Sequence, residues 1–281
     1  MASRPGTVSK ILWHFTGGPV WDDVTNKQLN ELKPAKNGYE ALKSILESLE
    51  LRVGRYREIV KVIVPEKRRF DLKTKEIHVL KNHPVTVKSM PACCVADIPL
   101  QHIEYHSNRY GKIAIGFHRD SIVKSGFNPV MYTLEDTALL NSIYQGYSKV
   151  DDVHPYSAIS ETESVQDDID KIIEDNDLDG SVDTSSVIFE LEWIQTAQET
   201  IDESFQNFLA YIKTFDTTEF DSIYCEREWR STKNYSFNTD DIAIIVLPKE
   251  QEGERFYERF LKEVNLPKTV TIACWEDLIE H

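Results

Sequence analysis

A short apolar segment near the start of the chain carries a histidine and a threonine beside two glycines. The segment reads Leu-Trp-His-Phe-Thr-Gly-Gly, with His14 and Thr16 two residues apart and Gly17 and Gly18 after them. Residues two apart on a strand point to the same face, so both side chains could hydrogen-bond a ribose or an amide. The glycines would let a ligand approach the backbone closely. The alternative is a buried strand whose histidine is satisfied internally.

A second segment, residues 224–230, concentrates charge in the sequence Tyr-Cys-Glu-Arg-Glu-Trp-Arg. On a strand, alternation would place Glu226, Glu228 and Arg230 on one face. Such a grouping is costly unless the charges are paired or functional. Two carboxylates facing a cleft could hold a substrate hydroxyl and perform acid–base chemistry. The alternative is an exposed edge whose charges form ion pairs.

Two other patterns point less clearly to chemistry. Tyr110 and Phe117 could stack on a flat ring, although core packing is the simpler explanation. Residues 175–183 match the first nine positions of a calcium loop, but Ser186 stands where the twelfth position needs a glutamate. We therefore favour an acidic loop there. No CxxC spacing exists among the four cysteines, so the sequence predicts no metal site.

The charge of the chain is unevenly distributed. The net charge is −15 over 281 residues, but residues 151–183 alone hold twelve acidic side chains and one lysine. The rest is close to balanced, apart from one basic run between Lys61 and Lys81. Binding to a nucleic acid backbone needs clustered Lys and Arg, and this run is where such a site would have to lie, but we favour a solvated edge or hairpin.

Cysteine usage and the termini indicate an intracellular protein. Adjacent Cys93 and Cys94 do not suggest a disulfide framework, and buried free thiols fit a reducing cytoplasm. No apolar run approaches the 18 residues that a membrane span requires, and no signal peptide is visible. We expect a cytoplasmic protein with a single α+β domain over residues 1–281, carrying an acidic surface insertion at about 151–186.

Hydrophobic periodicity predicts strands and helices that alternate only loosely. Strands are expected at 8–16, 59–64, 77–80, 92–96, 110–117, 130–133, 222–230, 242–247 and 269–274. Helices are expected at 38–50, 119–125, 135–147, 187–212 and 250–264, with shorter ones within 97–108 and 165–174. The chain lacks GxGxxG and GxxxxGKS motifs, which argues against Rossmann and P-loop folds. A mixed, mostly antiparallel sheet with surrounding helices fits better.

The chain resembles the AbiGi family of abortive phage-infection proteins. The resemblance rests on LWHFTGG, on GYEALKSILESLELRVG, on ACCVADIPLQHI, on YGKIAIGFHRDSIVKSGFNPVMY and on YCEREWR. These stretches cover most of the chain outside the acidic insertion. The family is commonly labelled an antitoxin family, and that label leaves its chemistry open.

A more distant resemblance is to ADP-ribosyltransferases of the diphtheria-toxin and poly-ADP-ribose type. In that family a His and a nearby Ser or Thr hold NAD, a Tyr follows, and a late Glu closes the site. The resemblance implies an ADP-ribosyltransferase-like fold and matches these roles to His14 and Thr16, to Tyr110 or Tyr132, and to Glu228 or Glu226. Phe15 stands where many of those enzymes have Gly. Arg52, Arg55 or Arg57 could bind the pyrophosphate.

From this resemblance we expect an NAD-dependent ADP-ribosyltransferase acting as the toxic effector of a phage-defence or toxin–antitoxin system. Glu228 would be the catalytic carboxylate and Glu226 would support it, with NAD as substrate and a nucleic acid or protein as acceptor. A cognate antitoxin or chaperone would then be its partner. The alternative is a non-enzymatic antitoxin or interaction protein whose acidic insertion covers a basic partner. A third interpretation is an NAD hydrolase that releases free ADP-ribose.

Overall fold

The structure, a computed structural model, describes residues 9–22, 27–71, 74, 76–134, 137–142, 171, 174, 196, 199–215, 217 and 226–279. Contacts divide the chain into two compact units. The first unit comprises Met1–Tyr56, Pro91–Tyr132 and Thr217–His281, and the second comprises Arg57–Met90 and Thr133–Asp216. This division does not test whether residues 1–281 form one domain, so the single domain stays a prediction.

The first unit is built on a seven-stranded sheet. Within the part of the chain that the structure describes, the strands are β1 (Ile11–Phe15), β2 (Pro19–Asp22), β3 (Lys27–Leu32), β4 (Glu50–Leu51), β5 (Ile59–Asp71), β6 (Glu76–Lys88), β7 (Cys93–Ala96), β8 (Ala114–His118), β9 (Asn128–Pro129), β10 (Met131–Leu134), β11 (Ile212–Phe215), β12 (Glu228–Ser231), β13 (Tyr235–Ser236), β14 (Ile242–Leu247) and β15 (Thr271–Cys274). The sheet order is β15-β14-β8-β1-β7-β12-β9. Only β14 and β15 pair in parallel; the other neighbours in this sheet are antiparallel.

Both faces of this sheet are buried. In β1, Leu12 packs into one hydrophobic cluster and Trp13 into another, and Ile115 and Ala114 of β8 divide in the same way. Alternation along a strand places the two clusters on opposite faces. A strand that is buried on both faces reads as a continuous apolar run, which is why β8 and β14 could be recognised in the sequence.

Among the described residues of the first unit, five helices surround the sheet. They are α1 (Ala35–Ser48), a short α2 (Ile103–Tyr110) after a 3₁₀ turn at Leu100–His102, α3 (Arg119–Lys124), α4 (Phe256–Glu263) and α5 (Trp275–Ile279). Periodicity predicted α1 from residue 38, but it begins three residues earlier. The carboxylate of Glu252 accepts the Ala35 N–H at 3.2 and 3.0 Å, and this distant cap could not be read from the local sequence.

Three glycines bring their backbones together beside the sheet. Gly17 follows β1, Gly38 lies in α1 and Gly111 ends α2 with a positive φ of 80°. A Cβ added to Gly38 would lie 3.0 Å from the Gly17 Cα, and one added to Gly111 would lie 3.3 Å from the same atom. Side chains at these positions would therefore push both helices away from the loop after β1.

The second unit contains a long hairpin and a small cluster of its own. Strands β5 and β6 pair antiparallel from Ile59 opposite Lys88 to Asp71 opposite Glu76, far longer than the strands expected at 59–64 and 77–80. Residues 138–142 and 199–209 are helical. Val87 at the base of the hairpin packs with a cluster that contains Leu140, Leu209 and Ile212.

The predicted fold class is confirmed as mixed α+β with a mostly antiparallel sheet, whereas its likeness to ADP-ribosyltransferases is not shown. Of the strand expected at 222–230, residues 222–225 lie outside the described residues, Glu226 is helical, and the strand is seen at Glu228–Ser231. The helix expected at 187–212 gives way to strand β11 at Ile212. Apart from residues 171 and 174, the insertion at 151–186 lies outside the described residues, as do the calcium-loop pattern and Cys225. Cys93, Cys94 and Cys274 are free thiols.

Candidate functional site

A pocket of about 140 Å³ opens in the first unit between β1, β7, α2 and the start of β12. Its walls come from residues 13–15 of β1, residues 94–96 of β7, His106 and Tyr110 of α2, and the carboxylates of Glu226 and Glu228. A cavity of roughly 150 Å³ holds one benzene ring. The pocket therefore suits a single six-membered ring with polar substituents better than a whole dinucleotide.

His14 reaches across the gap between two central strands. Strands β1 and β7 pair through Trp13 and Ala96, and the next residue, His14, places its ring Nδ1 2.9 Å from the carbonyl oxygen of Cys94. A carbonyl can only accept, so Nδ1 carries the proton. Burial lowers the pKa of His14, which keeps the ring neutral at pH 7. Its Nε2 is then a hydrogen-bond acceptor for a hydroxyl or amide.

Glu226 is held from α2. The Tyr110 hydroxyl donates to Glu226 Oε1 at 2.8 Å, and Arg109 Nη1 lies 3.2 Å from the same oxygen. The carboxylate is buried, with 4% of the residue exposed, whereas the Arg109 side chain is 41% exposed. The pair therefore spans the pocket wall from its interior to the surface.

A left-handed turn at Arg227 joins the two glutamates. Arg227 has a φ of 44°, its carbonyl accepts the Asp97 N–H at 3.0 Å, and its Nη2 lies 2.7 Å from Asp97 Oδ2. These contacts help hold a backbone conformation that is costly for a non-glycine residue. The prediction that Glu226 and Glu228 share a strand face is wrong for Glu226, which precedes the strand. The turn nevertheless brings both carboxylates to the same pocket.

Glu228 lies on β12 beside a buried arginine. Arg230 shares its strand face, as the spacing predicted, and Arg230 Nη2 donates to Glu228 Oε2 at 2.8 Å. In the sheet register, Arg230 stands opposite Cys94, one strand away. Burial and the adjacent Glu228 carboxylate raise the pKa of the Cys94 thiol well above its usual range. The thiol therefore stays protonated and is a poor nucleophile.

Three rings form one wall of the pocket. His106 and Tyr110, four residues apart on α2, stack with their centroids 4.4 Å apart, and Phe15 lies 4.8 Å from His106. The guanidinium of Arg109 lies 5.7 Å from the Tyr110 ring centroid. Such a wall can pack against a flat apolar or aromatic group.

The remaining residues proposed from the sequence lie elsewhere. The Thr16 hydroxyl donates to the Ile113 carbonyl at 3.3 Å, and the residue does not line the pocket. Arg52 is exposed and pairs with Glu50 at 3.0 Å. The Tyr132 hydroxyl accepts the backbone N–H of Glu228 at 2.7 Å, so it helps to position β12 but does not line the pocket. The structure thus brings together His14, Tyr110, Glu226 and Glu228, but not Thr16 or Arg52.

The described part of the chain holds no group of three or more His, Cys, Asp and Glu side chains arranged to bind a metal ion. Its helices are also too short or too polar to cross a membrane.

One family model matches the chain over residues 57–265, which is 209 of the 281 residues. Its description is "Putative abortive phage resistance protein AbiGi, antitoxin". The chain belongs to the AbiGi family. Membership indicates a component of an abortive-infection system, described as its antitoxin. No curated protein and no solved structure matches the chain.

The AbiGi match covers most of the pocket but not all of it. Seven of the ten lining residues, including Tyr110, Glu226 and Glu228, lie within residues 57–265, while Trp13, His14 and Phe15 precede the match. The LWHFTGG segment and α1, which also suggested the family, lie outside it. The pocket of this AbiGi protein is therefore built mainly from the segment that defines the family.

Sequence reasoning about this AbiGi protein missed His106 and Cys94, which line the pocket, and Arg109, which pairs with Glu226. His106 lies four residues before Tyr110, but Tyr110 was assigned to the strand expected at 110–117, and the shared helix face follows from α2 extending to Tyr110. Arg109 and Cys94 gave no local signal. Arg109 meets Glu226 across a separation of more than 100 residues, and Cys94 meets Glu228 only through strand pairing.

Proposed function

We propose that the chain acts as the antitoxin-type component of an abortive-infection system, neutralising a cognate toxin by binding to it. The observation that carries this proposal is the match to the AbiGi family model, with its antitoxin description. It agrees with the alternative interpretation of the sequence better than with the expectation of a toxic effector.

The charge of the chain supports an interaction with a basic partner. The net charge is −15, and residues 151–183 contribute twelve acidic side chains against one lysine. Complementary charge speeds encounter between proteins and disfavours wrong partners. A toxin that presents a basic surface would be recognised by this segment.

The pocket chemistry is compatible with a binding role. Glu226 lies against Arg109, Glu228 lies against Arg230, and the Cys94 thiol is protonated. Because both carboxylates are ion-paired and the thiol is inert, these groups suit ligand recognition and the maintenance of a folded shape. A pocket of this kind is compatible with an antitoxin that binds its partner and catalyses no reaction.

Rescue of growth by charge variants tests this proposal. Cells would express the toxin of the same system together with the wild-type chain, with a triple variant Asp167→Asn, Asp168→Asn, Asp170→Asn, or with a matched triple variant Glu47→Gln, Asp120→Asn, Asp240→Asn at exposed positions elsewhere. We expect rescue by the wild type and the matched variant, and weaker rescue by the variant in 151–183. Equal rescue by both variants would show that the acidic segment does not contribute to neutralising the toxin.

We also propose a second candidate function, NAD-dependent ADP-ribosyl transfer, because one observation favours it. His14, Tyr110, Glu226 and Glu228 line a single pocket that suits one six-membered ring. The nicotinamide of NAD would sit against the aromatic wall, with His14 Nε2 accepting a hydrogen bond from NAD. Breaking the nicotinamide–ribose bond builds positive charge on the ribose, and a carboxylate hydrogen-bonded to a ribose hydroxyl would stabilise it.

The two carboxylates would have different roles in such a reaction. Nicotinamide leaves with the bonding electron pair, the ribose carbon bonds to the acceptor, and the acceptor proton passes to a carboxylate. Glu228 is the candidate catalytic residue, and Glu226 would hold the acceptor or a hydroxyl. The acceptor would be a nucleic acid or a protein; with water as the acceptor, the chain would be an NAD hydrolase.

Isothermal titration with NAD tests the second candidate. Wild type would be compared with His14→Ala and Glu228→Gln, each checked for folding by circular dichroism. Binding that is lost in His14→Ala supports an NAD pocket, and nicotinamide release that is lost in Glu228→Gln supports catalysis. Release of free ADP-ribose without an acceptor would indicate a hydrolase. No binding at about 1 mM NAD, a concentration at which even weak sites fill, would contradict an NAD-dependent function.

A further inference from the structure

The hairpin of β5 and β6 is a long two-stranded ribbon in the second unit. Its register runs without interruption from Ile59 opposite Lys88 to Val64 opposite His83, and again from Glu66 opposite Lys81 to Asp71 opposite Glu76. The two strands form a separate two-stranded sheet. Two-stranded hairpins are at best marginally stable in water without a third strand or a packed face. We therefore expect a ribbon of this length to be covered by another molecule.

Apolar side chains of the ribbon are exposed both near its base and along its outer half. Ile63 and Ile77 are each 62% exposed and Val79 is 48% exposed. Leu80 is 41% exposed. Val87, near the base, instead packs with the cluster of the second unit. Of these exposed groups, Ile77, Val79 and Leu80 lie in the half of the ribbon that is farther along the ladder from this cluster, whereas Ile63 lies in the nearer half.

The ribbon is also basic within an acidic chain. Residues 59–88 contain eight Lys or Arg and three Asp or Glu, a net charge of +5, whereas the whole chain carries −15. The register places Lys67 opposite Leu80 and Arg68 opposite Val79, so basic and apolar positions are interleaved. Interface cores between proteins are depleted of charge, and two copies of this ribbon would repel each other. A polyanion that offers grooves fits this pattern better than a protein or a second copy.

We propose that the β5–β6 ribbon binds duplex DNA. The major groove of B-form DNA is about 12 Å wide and admits a two-stranded β-ribbon, whereas the major groove of duplex RNA is too narrow and deep. The Lys and Arg residues of the ribbon contact phosphates, which supplies affinity without sequence preference. The exposed Ile77 and Val79 side chains contact thymine methyl groups in the groove.

Fluorescence anisotropy with a labelled DNA duplex of about 20 bp tests the proposal, since duplex grooves repeat roughly every 10 bp. The full-length chain would be titrated in 50 and 200 mM salt. Three phosphate contacts predict a salt slope near −2.7 and therefore about a 40-fold weaker affinity at the higher salt. A triple variant Lys67→Gln, Arg68→Gln, Arg69→Gln should lose most of this slope and bind at least tenfold more weakly.

A matched triple variant, Lys33→Gln, Lys124→Gln, Lys262→Gln, removes the same charge at exposed positions of the first unit. It should bind as the wild type does, and thermal melting would show that both variants fold. A duplex RNA of the same length should bind at least tenfold more weakly than DNA. The proposal is overturned by no binding at about 100 µM protein, the weak end of non-specific affinity. An equal loss of DNA affinity in both triple variants would overturn the proposal too. So would self-association of the full-length chain in light scattering. The antitoxin proposal is unaffected by any of these outcomes.

Discussion

The ion pair between Glu228 and Arg230 is the residue-scale feature with the largest expected effect on stability. Arg230 is 1% exposed, and its guanidinium lies 2.8 Å from the Glu228 carboxylate. A charge at this depth is tolerated when its partner is present and becomes costly when the partner is removed. Glu226 differs, because the Arg109 side chain beside it is 41% exposed and can be solvated by water.

Glu228→Ala should therefore destabilise the protein more than Glu226→Ala. We expect Glu228→Ala to lower the free energy of unfolding by about 3–5 kcal/mol, because Arg230 is left buried without this carboxylate. Glu226→Ala should cost roughly 1–2 kcal/mol, mainly through the lost hydrogen bond from Tyr110. Urea unfolding followed by circular dichroism measures both values. Equal losses would show that the two carboxylates are equivalent and that the depth of Arg230 does not matter.

The candidate site could be predicted in part from single residues. His14, Glu226 and Glu228 were singled out because their types suit the chemistry and because short-range spacing limits where they can point, whereas Tyr110, with Tyr132 as its alternative, was matched through the ADP-ribosyltransferase resemblance. Arg109 could not be assigned, because its partner is set by the tertiary fold. The predicted position of Glu226 was wrong for a non-local reason, because Arg227 adopts a left-handed conformation that is held by Asp97, 130 residues away in the sequence.

At the scale of elements, the glycine contact between α1, α2 and the loop after β1 positions the pocket. Gly17 lies three residues after His14, and the backbones of Gly38 and Gly111 press against it. The helical period of α1 and the apolar runs of β8 and β14 were predictable, because they depend on burial patterns within one element. The start of α1 was not predictable, because its cap comes from Glu252.

Gly38→Ala tests this glycine contact. Alanine normally favours a helix over glycine by about 1 kcal/mol, but here its Cβ would lie 3.0 Å from the Gly17 Cα, a backbone atom that cannot rotate away. We expect a net loss of about 1–3 kcal/mol in the free energy of unfolding. The control is Ser44→Ala at an exposed position of the same helix, which should be neutral or slightly stabilising. An increased free energy of unfolding in Gly38→Ala would show that the loop after β1 shifts to accommodate the methyl group without cost.

The contact between α1 and α4 predicts a dependence of stability on pH. Hydrogen bonds from Arg259, Lys43 and Tyr39 outweigh desolvation and lower the pKa of Glu263 from its ordinary 4.5 to about 2. A carboxylate whose pKa is depressed in the folded state binds protons more readily in the unfolded state. Its contribution is therefore complete above pH 4.5 and is lost as the pH falls through about 2.

Thermal melting between pH 7 and pH 2 measures this contribution by comparing wild type with Glu263→Gln. The wild type should have the higher melting temperature at pH 7, and the difference should shrink below pH 4.5 and vanish near pH 2. The matched control is Glu258→Gln on the same helix, whose partner Arg255 is itself exposed. A difference between wild type and Glu263→Gln that is constant with pH would mean that Glu263 acts through packing and not through its charge.

At the scale of the whole molecule, charge is separated along the chain. The ribbon at residues 59–88 carries +5, whereas residues 151–183 carry −11, so the net charge of −15 describes neither segment. Composition predicts an acidic insertion at about 151–186, which stays a prediction, and the basic run could be interpreted only as a hairpin or edge. Its length as a ribbon depends on cross-strand pairing, which a local pattern does not specify.

Growth of cells that express the chain, alone and together with the toxin of the same abortive-infection system, tests the central claim most directly. If the chain is an antitoxin, we expect that the chain alone leaves growth unchanged and that it restores growth to cells expressing the toxin. Growth arrest by the chain alone, relieved by Glu228→Gln, would contradict the antitoxin proposal and favour ADP-ribosyl transfer. A chain that is harmless and fails to rescue would contradict it as well.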